Sequence, residues 1–311
     1  MLLRTAFITT ALSFASSLTM AFTPLVSADW LNNELSNKSV TVLDIRDAKA
    51  FEEAHVPGSV FQAYGSWRAE REGVTGNLPE LTVLADMIGK LGIDNTQHVV
   101  IVPPGENSSD FGSAARVYWT FKVLGHDSVS ILNGGYKGWV QQGYDVANTP
   151  NSPIPAQFEV NFQEQYLATT EDVAATLKND DVQFVDARPT DFFNGQTKAG
   201  PARVAGTLPG AINLTEASLV DTNDGVAYFL TKDRIRQLAE DASLKLDAGR
   251  TVTFCNTGHW AATDWFALSE IAGLPNVAMY DGSMTAWTQD PDRPVQTERR
   301  GLGKLLGVFG G

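Results

Sequence analysis

The sequence predicts an α/β protein assembled from two copies of one domain, each a mainly parallel sheet with helices on both faces. Two observations carry this. Short apolar runs alternate with helical patterns along the chain, the signature of strand–helix–strand units. Four segments also recur in the same order across the 311 residues. Val42-Leu43-Asp44-Ile45-Arg46 returns as Phe184-Val185-Asp186-Ala187-Arg188, and His55-Val56-Pro57-Gly58-Ser59-Val60 returns as Thr207-Leu208-Pro209-Gly210-Ala211-Ile212. Val99-Val100-Ile101-Val102 matches Thr251-Val252-Thr253-Phe254, and Asn133-Gly134-Gly135-Tyr136 matches Asp281-Gly282-Ser283-Met284.

Taken in order, residues 22–147 form the first copy, 148–157 a linker whose three prolines disfavour regular structure, and 158–296 the second copy. In the second copy, residues 170–177 read as a helix capped by Thr170, and 184–186 as a strand. A helix is expected over 231–241 and a strand over 251–254. A helical pattern opens at Ala261 and runs over 264–271, 277–280 is a strand, and another helix begins after Asp281-Gly282.

The chain has 43% hydrophobic residues, enough for sizeable cores, and its length suits two domains. A formal charge of −13 argues against nucleic acid as a partner, since phosphate binding needs a cationic surface. Residues 1–21 resemble a secretory signal: Arg4 lies in a short basic start, an apolar run follows, and Thr19-Met20-Ala21 offers small residues for cleavage. Val26-Ser27-Ala28 is a second small-residue site, less favoured because cutting there removes part of the first domain. Export to a bacterial periplasm is the expectation. The Gly-rich, basic segment 297–311 reads as a disordered tail rather than a membrane contact.

Cys255 is the only cysteine. It follows a strand and precedes a helix, where unpaired amides and the positive end of a helix dipole favour the thiolate, the nucleophilic form. Exported proteins use cysteines in pairs, so a solitary one points to a reactive thiol or an intermolecular bond. One cysteine and four scattered histidines offer no metal-ligand spacing. The first copy leads instead into Pro103-Pro104-Gly105-Glu106-Asn107, without a thiol and with a loop about four residues longer when Ala114 is aligned to Ala262. One copy is therefore expected to shape the cleft and the other to do chemistry, beyond the carboxyl ends of its strands.

Those four paired motifs together with the cysteine loop resemble the tandem rhodanese-domain sulfurtransferases, which include thiosulfate and 3-mercaptopyruvate sulfurtransferases. The resemblance spans nearly the whole mature chain. It implies two rhodanese-like domains, a catalytic Cys255, and a six-position loop, Cys255-Asn256-Thr257-Gly258-His259-Trp260 leading to Ala261, whose amides cradle a persulfide. It implies no cofactor, a small sulfur donor, and a thiol or cyanide acceptor, with another sulfur-handling protein as a further partner. The loop departs from both the Cys-Arg-Lys-Gly pattern of thiosulfate-type members and the Cys-Gly-Ser-Gly pattern of mercaptopyruvate-type members. Its one titratable cation is His259. Phe192 and Asn194 stand where substrate-binding arginines are expected, leaving Lys198 and Arg203 as candidate replacements. Asp44–Arg46 and Asp186–Arg188, present in both copies, read as structural ion pairs. Trp260 reads as a cleft wall or a packing residue, and Trp265 as core. A carrier without turnover and a thiol redox sensor are the rival readings; the second lacks a resolving cysteine.

Overall fold

A computed structural model describes residues 23–297; the expected leader and all but the first residue of the expected tail lie outside that range. In the first copy, β1 (Leu25–Val26), α1 (Ala28–Glu34), β2 (Val40–Asp44), α2 (Ala48–Glu53) and β3 (Val60–Phe61) come first. There follow β4 (Ala69–Arg71), β5 (Val74–Asn77), α3 (Leu81–Lys90), β6 (His98–Val102), α4 (Ser108–Val123), β7 (Val129–Leu132) and α5 (Gly135–Gln141). The second copy opens with α6 (Thr170–Thr176), β8 (Val182–Asp186), α7 (Thr190–Phe193), β9 (Ile212–Asn213), β10 (Val220–Asn223) and β11 (Val226–Phe229). It ends with α8 (Lys232–Asp241), β12 (Arg250–Phe254), α9 (Trp260–Phe266), β13 (Val277–Met279) and α10 (Ser283–Trp287).

The two main sheets are parallel, ordered β1-β7-β6-β2-β3 and β13-β12-β8-β9. β6 is buried along its whole length and is apolar after His98, while β12 is buried from Thr251 to Phe254, because helices cover both faces of such a sheet. The copies correspond in fine detail. His55 makes an antiparallel bridge to Ala147, and its counterpart Thr207 makes one to Gln296. Each copy also carries an antiparallel hairpin, β4–β5 in the first and β10–β11 in the second.

The copies share one apolar core. Tyr118 on α4 packs edge-on to Phe266 of α9 at 4.8 Å, and Phe111 packs against Phe229 at 4.8 Å. Such pairs contribute about 0.5–1.5 kcal/mol each beyond their burial. Gly112 lets the two helices approach, since a Cβ there would lie 3.0 Å from the His259 ring. Trp265 is fully buried, its indole N–H donating to the Val277 carbonyl.

Three expectations are corrected. Thr169, not Thr170, caps α6: its hydroxyl accepts from the Asp172 amide while Asp172 bonds back to the Thr169 amide, a reciprocal box that fixes the start. The helix after the cysteine loop starts earlier, at Trp260, and passes at Ala267–Ile271 into a π-helical turn. The first-copy loop is not longer, since residues 103–107 and 255–259 number five each between strand end and helix start. The extra residues extend α4, which Asn107 and Asp110 start with a capping box. Residues 148–163 carry no helix or strand. The stretch beyond residue 157 packs on the first copy, with Asn161 and Gln163 amides donating to Leu124 and Val123 carbonyls.

Candidate active site

β12 is an interior strand, so its carboxyl end delivers Cys255 between the two copies with only 1% of its surface exposed. The loop is pinned from below. Ser283 accepts hydrogen bonds from the amides of Cys255 (3.0 Å) and Gly258 (3.2 Å), and its Oγ lies 4.0 Å from the Cys255 sulfur. Ser283 achieves this at φ +51°, a left-handed conformation that costs a non-glycine residue roughly 1 kcal/mol or more. Gly258 sits at φ +71°, and a Cβ there would lie 2.6 Å from an Arg116 nitrogen and 2.7 Å from the Asp281 carbonyl oxygen. Glycine is required on both counts.

Among the described residues, the amides of Asn256, Thr257, His259, Trp260 and Ala261 have no hydrogen-bond acceptor. Helix α9 has no side-chain cap either. A turn of unpaired amides around a thiol is a site made for an anion on sulfur. The Gly258 amide, expected to join this cradle, is instead taken by Ser283, because the left-handed turn points it downward.

The first copy supplies the roof. Hairpin β4–β5 lies over Thr257 so closely that a Cβ on Gly76 would be 2.2 Å from its carbonyl oxygen. Arg68, at the start of that hairpin, donates to both the carbonyl and the hydroxyl of Thr257 at 3.0 Å. Arg116 of α4 is fully buried, donates to the Gly258 carbonyl at 3.3 Å, and lies 3.7 Å from an Asp281 oxygen. His259 is clasped between the Tyr64 hydroxyl on Nδ1 (2.7 Å) and the Ser109 hydroxyl on Nε2 (2.8 Å). Burial, reinforced by the two guanidinium charges of Arg68 and Arg116, pushes its pKa down to about 4. It is a neutral imidazole near pH 7, a loop anchor rather than a cation. Burial raises the pKa of Tyr64, so its hydroxyl keeps its proton and can donate to that ring.

Beneath the loop, Arg188 forms a buried ion pair with Asp186 at 2.6 Å and reaches the Asn256 side chain at 3.4 Å. The twin pair in the first copy joins Arg46 to Asp44 at 2.7 Å, as the repeat suggested. Asp264 on α9 is fully buried and neither carboxyl oxygen has a partner. Burial, with the neighbouring Glu216 and Cys255 charges, raises its pKa well above the carboxylate range, so it stays a neutral acid.

Residues 255–261 form the turn from β12 into α9, and the two candidate substrate cations are held elsewhere. Lys198 donates to the Ala202 carbonyl of its own loop, and the Arg203 side chain holds the Gln289 side chain at 3.0 Å. Neither bonds to the cysteine loop. Phe192 stands edge-on to Trp260 at 6.3 Å, making an aromatic wall where an arginine was expected. Sequence reasoning missed Arg68, Arg116, Tyr64, Ser109 and Ser283. One signal was available: Gly76 inside a strand marks a close backbone approach.

The rhodanese-like domain profile matches residues 27–142 and 169–290. Thiosulfate sulfurtransferase of Gallus gallus is 32% identical over 275 residues, covering 85% of this chain and 92% of that protein. 3-Mercaptopyruvate sulfurtransferase of Rattus norvegicus is 30% identical over 301 residues, covering 92% and 98%. Among solved structures, the 3-mercaptopyruvate sulfotransferase SseA of Escherichia coli superposes with a TM-score of 0.75 at 25% identity, over 84% of this chain and 99% of that one. The anaerobic ergothioneine biosynthesis enzyme of Chlorobium limicola shares the fold, with a TM-score of 0.76 at 20% identity over 88% and 70%.

Proposed function

The chain belongs to the rhodanese-like domain family, and from that premise we propose that it is a sulfurtransferase whose second copy carries sulfane sulfur as a persulfide on Cys255. The observation that carries this reading is the ring of five unpaired amides beside a buried, solitary thiol. The donor is thiosulfate. The Cys255 thiolate attacks its outer sulfur, the bond to the sulfite sulfur breaks, and sulfite leaves with the electron pair. Unpaired amides at Asn256, Thr257, His259, Trp260 and Ala261 stabilise the terminal sulfur anion, already oriented before it forms. An acceptor nucleophile, cyanide in an assay or a thiol in the cell, then takes that sulfur and the Cys255 thiolate is regenerated. Thr257, Gly258 and His259 are held from the first copy, so the cradle keeps its shape through both half-reactions.

The test is direct. Thiosulfate should add the mass of one sulfur to the protein, and cyanide should remove it as thiocyanate. The Cys255→Ser variant should do neither. 3-Mercaptopyruvate in place of thiosulfate probes the alternative donor, and an adduct without turnover would mark a carrier. No adduct from either donor would contradict the reading.

Export is part of the proposal and rests on the basic-then-apolar start of residues 1–21. Protein from a periplasmic fraction should begin at Phe22; cytoplasmic protein retaining Met1 would contradict it.

A further inference from the structure

Thiosulfate is a dianion, and after sulfur transfer it leaves as sulfite, so the site needs a cation that can meet oxyanion oxygens. The second copy supplies none that is free. His259 is neutral, Arg188 is committed to Asp186, and Lys198 and Arg203 are held by Ala202 and Gln289. Arg116, from the first copy, is fully buried against the Gly258 carbonyl and Asp281.

Arg116 has two buried nitrogens without a partner, but it is wholly enclosed, whereas Arg68 is only partly buried and lies outside every ion pair among the described residues. Both of its hydrogen bonds leave from one nitrogen, Nη2, and go to Thr257. Its Nε has no partner although it is buried, and Nη1 makes no hydrogen bond among the described residues. The ion pairs among the described residues leave Arg68 out. The residue is only partly buried, and its bonds to Thr257 hold it at the cysteine loop. A guanidinium outside any ion pair, over the Tyr64 ring and with Nη1 uncommitted, suits a charge-assisted hydrogen bond to a sulfonate oxygen.

We propose that Arg68, delivered by the first copy, recognises the oxyanion end of the sulfur donor and sets a preference for doubly charged thiosulfate. This rests on the sulfurtransferase reading above. In the step it serves, the Cys255 thiolate and thiosulfate become the Cys255 persulfide anion and sulfite. One sulfur–sulfur bond forms and one breaks, and total charge is conserved, with Arg68 against the oxygens throughout. A purely structural Arg68, tying down the Thr257 carbonyl, would support all donors alike.

The experiment compares wild type, R68K and R68Q with thiosulfate and with methanethiosulfonate. The second donor transfers the same outer sulfur but carries a single charge and releases methanesulfinate. R68Q should lower kcat/KM for thiosulfate about ten- to hundredfold, mainly through KM, and for methanethiosulfonate by several-fold less. R68K, which keeps the charge but loses the planar guanidinium that reaches Thr257 and the donor together, should fall between. Thermal melts of all three check folding, and R68K keeps the test open if R68Q unfolds. Equal losses for the two donors, or an unchanged KM for thiosulfate, would overturn the role of Arg68 while leaving the sulfurtransferase reading intact. Failure of wild type to load sulfur on Cys255 from either donor would instead bring down that reading and this one with it.

Discussion

After β6 the chain turns through residues 103–107 into α4, and after β12 it turns through residues 255–259 into α9. The two turns share their scaffold bond for bond. The Pro103 and Pro104 carbonyls accept from the Tyr136 and Lys137 amides, as those of Cys255 and Asn256 accept from Met284 and Thr285. They differ in what meets the amides. In the first copy, prolines remove two N–H groups at the positions of Cys255 and Asn256. The Asp110 carboxylate takes the Glu106 and Asn107 amides at 2.7 and 3.3 Å, and Asn107 returns a bond to the Asp110 amide. In the second copy the Ser283 hydroxyl takes only the Cys255 and Gly258 amides, and five others stay open for a substrate. The position below each turn differs in the same sense. Gly135 occupies the left-handed site at φ +56°, where glycine is comfortable, while Ser283 occupies it at φ +51° and uses its hydroxyl to hold Cys255 and Gly258. One copy closes its turn with its own carboxylate; the other leaves five amides unpaired above a serine held at positive φ. The lesson is that loss or gain of chemistry here needs no change of backbone plan.

The sharpest way to break this comparison is Gly258→Ala. A methyl 2.6 Å from Arg116 and 2.7 Å from the Asp281 oxygen, on a left-handed residue, should destabilise by about 3 kcal/mol or more and remove most activity. Urea titration with a thiocyanate assay reads both. Ser283 comes next. Ser283→Ala keeps the backbone strain and strips two amides of their acceptor, at a cost of roughly 2–3 kcal/mol. Ser283→Gly strips the same bonds but imitates Gly135, so it should be about 1 kcal/mol more stable than the alanine variant. If alanine proves the more stable, Ser283 is not strained.

A smaller effect follows from His259. Its folded pKa of about 4 lies below the ordinary 6.5. Between these values the unfolded chain binds a proton that the folded chain does not, so this residue's contribution to stability falls as pH drops from 6.5 toward 4. His259→Gln should flatten that part of the curve in urea titrations at stepped pH. An identical slope in wild type and variant would show that the ring titrates normally. The mildest change is Asp110→Asn, which weakens the plug in the first copy. It should cost about 1 kcal/mol of stability and leave kcat for thiosulfate unchanged, since that turn does no chemistry.

Much of this was legible from the sequence, and unevenly. Cys255, the strand before it and the twin turn without a thiol all show in local pattern, because strand periodicity and repeat alignment are local signals. The roof over the loop does not. Tyr64 meets His259 across 195 residues, Arg68 meets Thr257 across 189, and Arg116 meets Gly258 across 142. No spacing rule links residues that only interdomain packing brings together: Lys198 and Arg203 lie in the cysteine's own copy, whereas Arg68 reaches Thr257 from the other. The neutrality of His259 is likewise a product of burial. Ser283 was within reach, since the alignment sets it opposite Gly135, and a serine in a glycine position marks a residue that accepts strain for a bond.

If the open amides of the second turn hold the anionic sulfur on Cys255, a structure of the protein loaded with thiosulfate should show it. A terminal sulfur on Cys255 is expected within about 3.5 Å of several of the amides of Asn256, Thr257, His259, Trp260 and Ala261. A persulfide turned away from them, with those amides bonded to water or protein oxygen, would contradict it.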